Sequence, residues 1–217
     1  MTTRQKLLSI FQVLLSSFGK RNWWPGETEL EIIVGAILTQ NTSWKNVERA
    51  INNMKAHGLL SVDALQSIPI EELEEIIRPS GFYRQKSARL KKIINVLHDD
   101  YDRSIDNLKH YDTHYLRKLL LSINGIGPET ADSILLYALN RPIFVVDAYT
   151  KRFIKNHGLY NGNGNYDNVQ QYFMTNLPLD VYLFNEFHAL IVLLCQTYCK
   201  KIPECSSCLL NRKLGGL

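Results

Sequence analysis

The stretch that most limits the fold is Ile123-Asn124-Gly125-Ile126-Gly127-Pro128-Glu129-Thr130-Ala131, because it joins two amphipathic helical patterns. Leu116, Leu119 and Leu120 recur at helical spacing before it, and Ala131, Ile134, Leu135, Ala138 and Leu139 after it. Glycine tolerates positive φ and close backbone approach, so Gly125 and Gly127 predict a tight reversal. Pro128 suits the first turn of the second helix, where its missing N–H costs nothing. The amides left exposed at that helix start form an anion site of the kind that takes a phosphate. An ordinary helical hairpin accounts for Gly-x-Gly equally well. The order around it is more specific: helix, Gly-Ile-Gly, Pro, helix, a short extended run from Ile143 to Val146, then Asp147.

The rest of the chain also reads as helices. Leu7, Leu8, Phe11, Leu14, Leu15 and Phe18 share one face, with Ser9, Gln12, Ser16 and Ser17 interrupting, which marks an amphipathic helix rather than a leader peptide. After a turn at Trp23-Trp24-Pro25-Gly26 comes a nearly all-apolar segment from Leu30 to Leu38, expected to be buried on all sides. Thr42 or Ser43 caps the next helix, with Val47, Ala50, Ile51 and Met54 inward. Shorter helices are expected near 61–67 and 70–78, a basic one over 84–99 and a long one over 180–198. The only β candidate is Ile143–Val146, so the predicted class is all-α. The loop from Tyr160 to Tyr166, with Gly162 and Gly164, reads as the most flexible part.

Bulk properties narrow little. Apolar residues make up 45% and charged residues 21% of 217, a globular composition, and the net charge of +4 fits an anionic partner without demanding one. No apolar run is long enough to cross a membrane, so the expected location is cytoplasmic, nucleoid-associated through DNA. All four cysteines lie between Cys195 and Cys208, crowding that points to metal rather than disulfides in a reducing compartment.

Gly125-Ile126-Gly127 followed some twenty residues later by Val146-Asp147 resembles the helix-hairpin-helix, Gly/Pro-Asp superfamily of DNA glycosylases, and the likeness runs over almost the whole chain. Leu38-Thr39-Gln40-Asn41-Thr42 resembles the family's Gln-containing segment. Gly81-Phe82-Tyr83-Arg84-Gln85-Lys86 resembles its second DNA-facing loop. Trp23-Trp24-Pro25 with Gln40-Asn41-Thr42-Ser43-Trp44 most resembles the branch that includes 3-methyladenine DNA glycosylase III. The resemblance implies a two-domain enzyme with its active site in the cleft between domains. Residues 22–133 would form a six-helix domain holding the hairpin, and 1–21 with 134–217 a second helical domain. It also implies a monomer acting on double-stranded DNA that contains a damaged base, with no membrane partner.

Asp147 begins a helix, where aspartate is a favoured cap. It also falls on the superfamily's catalytic aspartate, and a carboxylate held by helix amides stays ionised, able to stabilise an oxocarbenium-like sugar. Bifunctional members carry at position 129 a lysine that attacks C1′ of the sugar; Glu129 cannot do so. The resemblance therefore implies a monofunctional glycosylase. Clustered tryptophans ordinarily mean core, yet Trp23, Trp24, Pro25 and Trp44 neighbour turn and polar segments, as a pocket for a flipped base would require. A cationic N-alkylated purine suits such electron-rich rings and leaves readily. By resemblance, Gln40 fills the gap left by the flipped nucleotide, Phe82 wedges between the opposite bases, and Arg84 and Lys86 meet phosphates.

The family's iron–sulfur loop is C-x6-C-x2-C-x5-C. Here the run is Cys199-x5-Cys205-x2-Cys208, and after five further residues stands Leu214. Cys195, on the same helix face as Cys199, is the expected replacement ligand. Four thiolates suit a [4Fe–4S] cluster or a four-cysteine zinc site, and a degenerate loop that binds nothing is the other reading. No cofactor is required for the chemistry itself. Two other functions stay open at this point. One is an endonuclease III-like glycosylase for oxidised or deaminated bases, with lyase activity; the other is a non-catalytic DNA-binding module.

Overall fold

The helix boundaries follow from local capping chemistry. A computed structural model describes residues 1–214. In chain order its helices are α1 (Thr3–Phe18), α2 (Glu29–Leu38), α3 (Trp44–Ala56), α4 (Val62–Ser67), α5 (Ile70–Ile76), α6 (Tyr83–Asp100), α7 (Ile105–Leu108) and α8 (Thr113–Ser122). There follow α9 (Pro128–Ser133), α10 (Ala148–Asn156), α11 (Tyr166–Asn176), α12 (Val181–Thr197) and α13 (Leu209–Leu214). A 3-10 turn at Arg78–Ser80 precedes α6, and a π turn at Ile134–Ala138 continues α9. At Thr2 the hydroxyl accepts from the Gln5 amide at 3.2 Å while the Gln5 side chain accepts from Thr2 N at 2.9 Å, a reciprocal cap. Thr28, Ser61, Asp112, Asp147, Asn165 and Asp180 cap their helices through side-chain oxygens as well. Among the described residues there is no strand, in keeping with the all-α expectation, and no helix long and apolar enough to cross a membrane.

Among the described residues two compact units form: Trp24–Arg141, and Met1–Trp23 with the chain from Pro142 onward. The division keeps residues 134–141 with the hairpin, where the sequence reading drew its line after 133. The π turn is the reason, because it carries Ile134 to Ala138 onto α2 and buries all five residues.

In the 24–141 unit, α2 is the centre. Leu30, Ile33, Val34, Ile37 and Leu38 are buried against α3, α6 and the π turn. Each such side chain contributes about 2 kcal/mol of burial. Gly35 would weaken an exposed helix, but here it makes room: a Cβ would stand 2.9 Å from the Trp24 Nε1. Helices α4 and α5 lie on α6. Arg117 of α8 reaches buried Asp132 of α9 at 2.8 Å, tying together the two helices of the hairpin.

The other unit packs α1 and α10 on α12, with aromatic rings at its middle. Phe144 stacks on Phe173 at 4.0 Å, and Phe184 meets Phe144 edge-on at 5.5 Å. The run Ile143–Val146 is buried and has no strand to pair with among the described residues. Side chains serve its backbone instead: Gln170 Nε2 donates to the Phe144 carbonyl at 2.7 Å, and Val146 N donates to the Tyr166 hydroxyl at 3.4 Å.

Candidate functional site

In the hairpin only one glycine needs positive φ. Gly125 sits at +97°, whereas Gly127 is extended at φ −91° and ψ 176°. Of the two properties that glycine offers, positive φ is used at Gly125, while Gly127 leaves open space before the first amides of α9, where a Cβ would meet nothing within 4 Å. Gly125 is hemmed in, since a Cβ there would lie 2.5 Å from Arg89 Nε. Glu129 is exposed in the first turn of α9, where its charge is favoured, and Thr130 beside it is buried.

Gln40 follows the end of α2 and reaches this hairpin. Its Nε2 donates to Thr130 Oγ1 at 2.9 Å and to the Gly125 carbonyl at 3.3 Å, while Arg89 donates to its Oε1. Neither Arg89 nor Thr130 was singled out from the sequence. Their contacts span 49 and 90 residues, and nothing local signals them.

Phe82 is an outlier on two counts. It is 61% exposed, and its backbone is left-handed at φ +48°, a conformation that costs a bulky residue strain. It stands as the N-cap residue of α6, with no side-chain cap of its own. Arg84 projects from the surface near Glu74, at 3.7 Å. Lys86, expected at a phosphate, is turned inward and fully buried. Its Nζ donates to the carbonyls of Leu38 at 2.8 Å and Ser80 at 2.6 Å. Helical periodicity explains the correction: Lys86 lies on the Leu90, Ile93 and Leu97 side of α6, and Arg84 on the opposite side. Burial, with the Arg89 charge adding to it, pulls the Lys86 ammonium down to about 8.

The tryptophans separate. Trp24 and Trp44 are half-buried, their rings 5.4 Å apart and edge-to-face. Tyr137, buried in the π turn, lies 5.4 Å from Trp24 and completes a three-ring cluster. Nothing in the sequence distinguishes Tyr137 from one more residue of a core helix. Pro25 is exposed in the turn beside Trp24. Trp23 belongs to the other unit and is half-buried there.

Asp147 caps α10, accepting the Thr150 amide at 2.7 Å. Its other oxygen lies 3.6 Å from Nε2 of His188 on α12, and both side chains are largely buried. Burial opposes the charged carboxylate, but the His188 charge and hydrogen bond and the Thr150 bonds outweigh it. Asp147 is held below the usual carboxylate value. The result is a persistent anion with one edge fixed by the helix. His188, another residue the sequence reading missed, sits in an apolar helix run with no local motif to flag it.

Three cysteines of the tail, Cys199, Cys205 and Cys208, line a cavity of about 280 Å³ together with His157 and Asn156. Cys199 is readied as a thiolate: the Cys195 S–H pulls it down to about 6, and the Asn156 amide donates to its sulfur at 3.2 Å. Cys195 does not line the cavity. It lies within α12, facing the Tyr149 carbonyl at 3.5 Å, whereas the chain turns out of the helix before Cys199. The expected set of four thiolates is therefore not assembled. Among the described residues no three of His, Cys, Asp and Glu are gathered to hold a metal. Leu214, at the family's last ligand position, ends α13.

The model for HhH-GPD superfamily base excision DNA repair proteins matches residues 34–179. The chain belongs to that superfamily. The expected enzyme class, a DNA N-glycosylase of base excision repair, stands with that membership. A candidate DNA repair glycosylase of Methanocaldococcus jannaschii is 49% identical over 94% of this chain and 93% of its own length. Endonuclease III of Sulfolobus acidocaldarius is 28% identical over 82% and 78%. Among solved structures, a 3-methyladenine DNA glycosylase of H. pylori bound to 1,N6-ethenoadenine is 30% identical, covers 90% of this chain and 98% of that one, and superposes with a TM-score of 0.74. An endonuclease III–DNA complex shares the fold, with a TM-score of 0.81 at 22% identity over 97% and 95% of the two chains.

Proposed function

We propose that this HhH-GPD protein is a monofunctional glycosylase that hydrolyses the N-glycosidic bond of a flipped N-alkylated purine, 3-methyladenine being the leading candidate. The observation that carries the reading is the three-ring cluster of Trp24, Trp44 and Tyr137. Electron-rich rings attract a cationic base more than a neutral one, by about 0.5–2 kcal/mol per contact. Such a base leaves as a neutral molecule, so no strong general acid is needed. The 30% identity to an enzyme named for 3-methyladenine supports the same substrate class.

Asp147 is the catalytic residue in this reading. As the glycosidic bond lengthens, positive charge develops on the sugar, and a carboxylate already ionised and oriented stabilises it without reorganising. The C1′–N bond breaks with its electron pair going to the purine, which leaves neutral; water forms the new C1′–O bond and gives its proton to solvent water. Phe82 serves as the wedge, since exposure and backbone strain together mark a side chain kept for contact with a partner. Arg84 and the open amides beyond Gly127 take phosphates.

The exposed Glu129 supports base removal without strand cleavage, because a carboxylate cannot form a Schiff base. Cys199, Cys205 and Cys208 line one cavity with Cys195 outside it, an arrangement that does not fit a four-thiolate cluster or zinc site among the described residues, and no step of the reaction passes through them. A panel of duplexes carrying 3-methyladenine, hypoxanthine, uracil and thymine glycol tests the function. Release of free methylated base with an intact abasic strand is expected. Strand cleavage, or a protein–DNA adduct trapped by borohydride, would overturn the monofunctional reading.

A further inference from the structure

Of the basic residues on α6, Arg89 is half-buried and donates to a side-chain amide. Its guanidinium donates to Oε1 of Gln40, and its stem covers Gly125, where even a methyl group would collide with Nε at 2.5 Å and Cγ at 2.8 Å. The opposite end of the same amide donates to Thr130 Oγ1 and to the Gly125 carbonyl. Both ends of the Gln40 amide are thus engaged, which fixes its rotamer and which way round the oxygen and nitrogen lie. The partners come from three places in the sequence: the end of α2, the middle of α6 and the hairpin.

We propose that Arg89 is a positioning residue for DNA engagement: by clamping the Gln40 amide against the hairpin, it presets the side chain that fills the gap left by the extruded nucleotide. This rests on the reading of Gln40 as that gap filler. A free glutamine side chain must lose its rotamer freedom on entering the DNA stack, and a clamped one has already lost it. Ordering a flexible side chain costs enough to change an equilibrium by about threefold to tenfold. A Cβ at Gly125, strained already at φ +97°, would have to displace the Arg89 side chain and with it the clamp. Lys86, one turn earlier on α6, supports the arrangement by holding the carbonyls of Leu38 and Ser80.

The test uses two duplexes, one undamaged and one carrying a tetrahydrofuran abasic analogue opposite 2-aminopurine. Affinity and 2-aminopurine emission are measured for the full chain, Gln40→Ala, Arg89→Met and the double variant, with Arg89→Gln as the substitute if Arg89→Met does not fold. The quantity read is the preference for the abasic over the undamaged duplex, in which the loss of one positive charge cancels. Arg89→Met is expected to lower that preference about threefold to tenfold, and the double variant to be no worse than Gln40→Ala alone. Equal weakening on both duplexes with a shallower salt dependence would make Arg89 a phosphate contact and overturn the proposal. Additive losses in the double variant would overturn it as well. If Gln40→Ala keeps the wild-type preference, the gap-filler reading itself fails, and the clamp fails with it.

Discussion

Replacing Asp147 by Asn and by Ala separates the cap that its carboxylate makes from the catalytic role proposed for it. Asn keeps the cap, because its side-chain oxygen can accept the Thr150 amide as Asp147 does at 2.7 Å. It removes the charge from a side chain that is only 14% exposed. At an effective dielectric of about 20 and a separation of about 4 Å, an anion stabilises a developing cation by about 4 kcal/mol. That corresponds to about a thousandfold in rate. Asp147→Asn should therefore melt within about 2 °C of the wild type at pH 7 while base release falls about a thousandfold. Asp147→Ala should lose the same activity and also the cap, about 1 kcal/mol, lowering the melting temperature by about 4–8 °C for a unit of this size. The sign of the pH dependence follows from the lowered carboxylate. Whatever stability the charged form adds is present above the ordinary value of 3.8 and is lost as pH falls through the lower folded value. The melting difference between wild type and Asn should accordingly shrink in acid. The assay is single-turnover release of free base from alkylated duplex DNA beside thermal melting of each variant. An Asn variant with more than about a tenth of wild-type activity would refute the electrostatic reasoning.

Three further outcomes are expected. Lys86 is held at about 8 against an ordinary 10.5, so between those values the unfolded chain binds more protons and stability rises with pH by up to about 3 kcal/mol; denaturant melts at stepped pH should show this rise in the wild type and lose it in Lys86→Met. Phe82→Asn, at φ +48°, should relieve about 1–2 kcal/mol of left-handed strain and raise the melting temperature while weakening binding to abasic duplex; a lower melting temperature would show the backbone is not strained there. Gly35→Ala would ordinarily favour a helix, yet its Cβ would stand 2.9 Å from the Trp24 indole, so a net loss of about 1–3 kcal/mol and a shifted tryptophan emission are expected from denaturant titration.

What could be read from the sequence and what could not divides along the distance over which each residue acts. The hairpin, the caps and the apolar faces were legible because their signals lie within one or two turns: Pro128 at a helix start, Asp147 before a periodic run, Leu30 to Leu38 apolar throughout. Asp147 shows the limit even there, since capping and catalysis ask for the same residue at the same place, and only the superfamily pattern suggests the second role. The basic face of α6 was misread because positive charge in sequence does not say what receives it. A lysine satisfied by two backbone carbonyls, an arginine on an amide and an arginine beside a surface glutamate look alike in one dimension. His188, Tyr137 and Thr130 were invisible for the complementary reason: each sits in a run that packing alone would explain.

The same distinction bears on how the site works. Gln40, Phe82 and the hairpin glycine are each set by contacts to α6 or by its first turn: Arg89 holds Gln40 and covers Gly125, and Phe82 is the residue from which α6 starts. A single helix thereby contacts three segments that are far apart in sequence, the ones proposed to engage DNA. Substitutions on the buried side of α6 should act on DNA engagement without touching DNA, and the basic character of that helix is only partly an electrostatic feature. Lys86 and Arg89 do geometric work there: they satisfy two carbonyls and an amide that would otherwise be free to move.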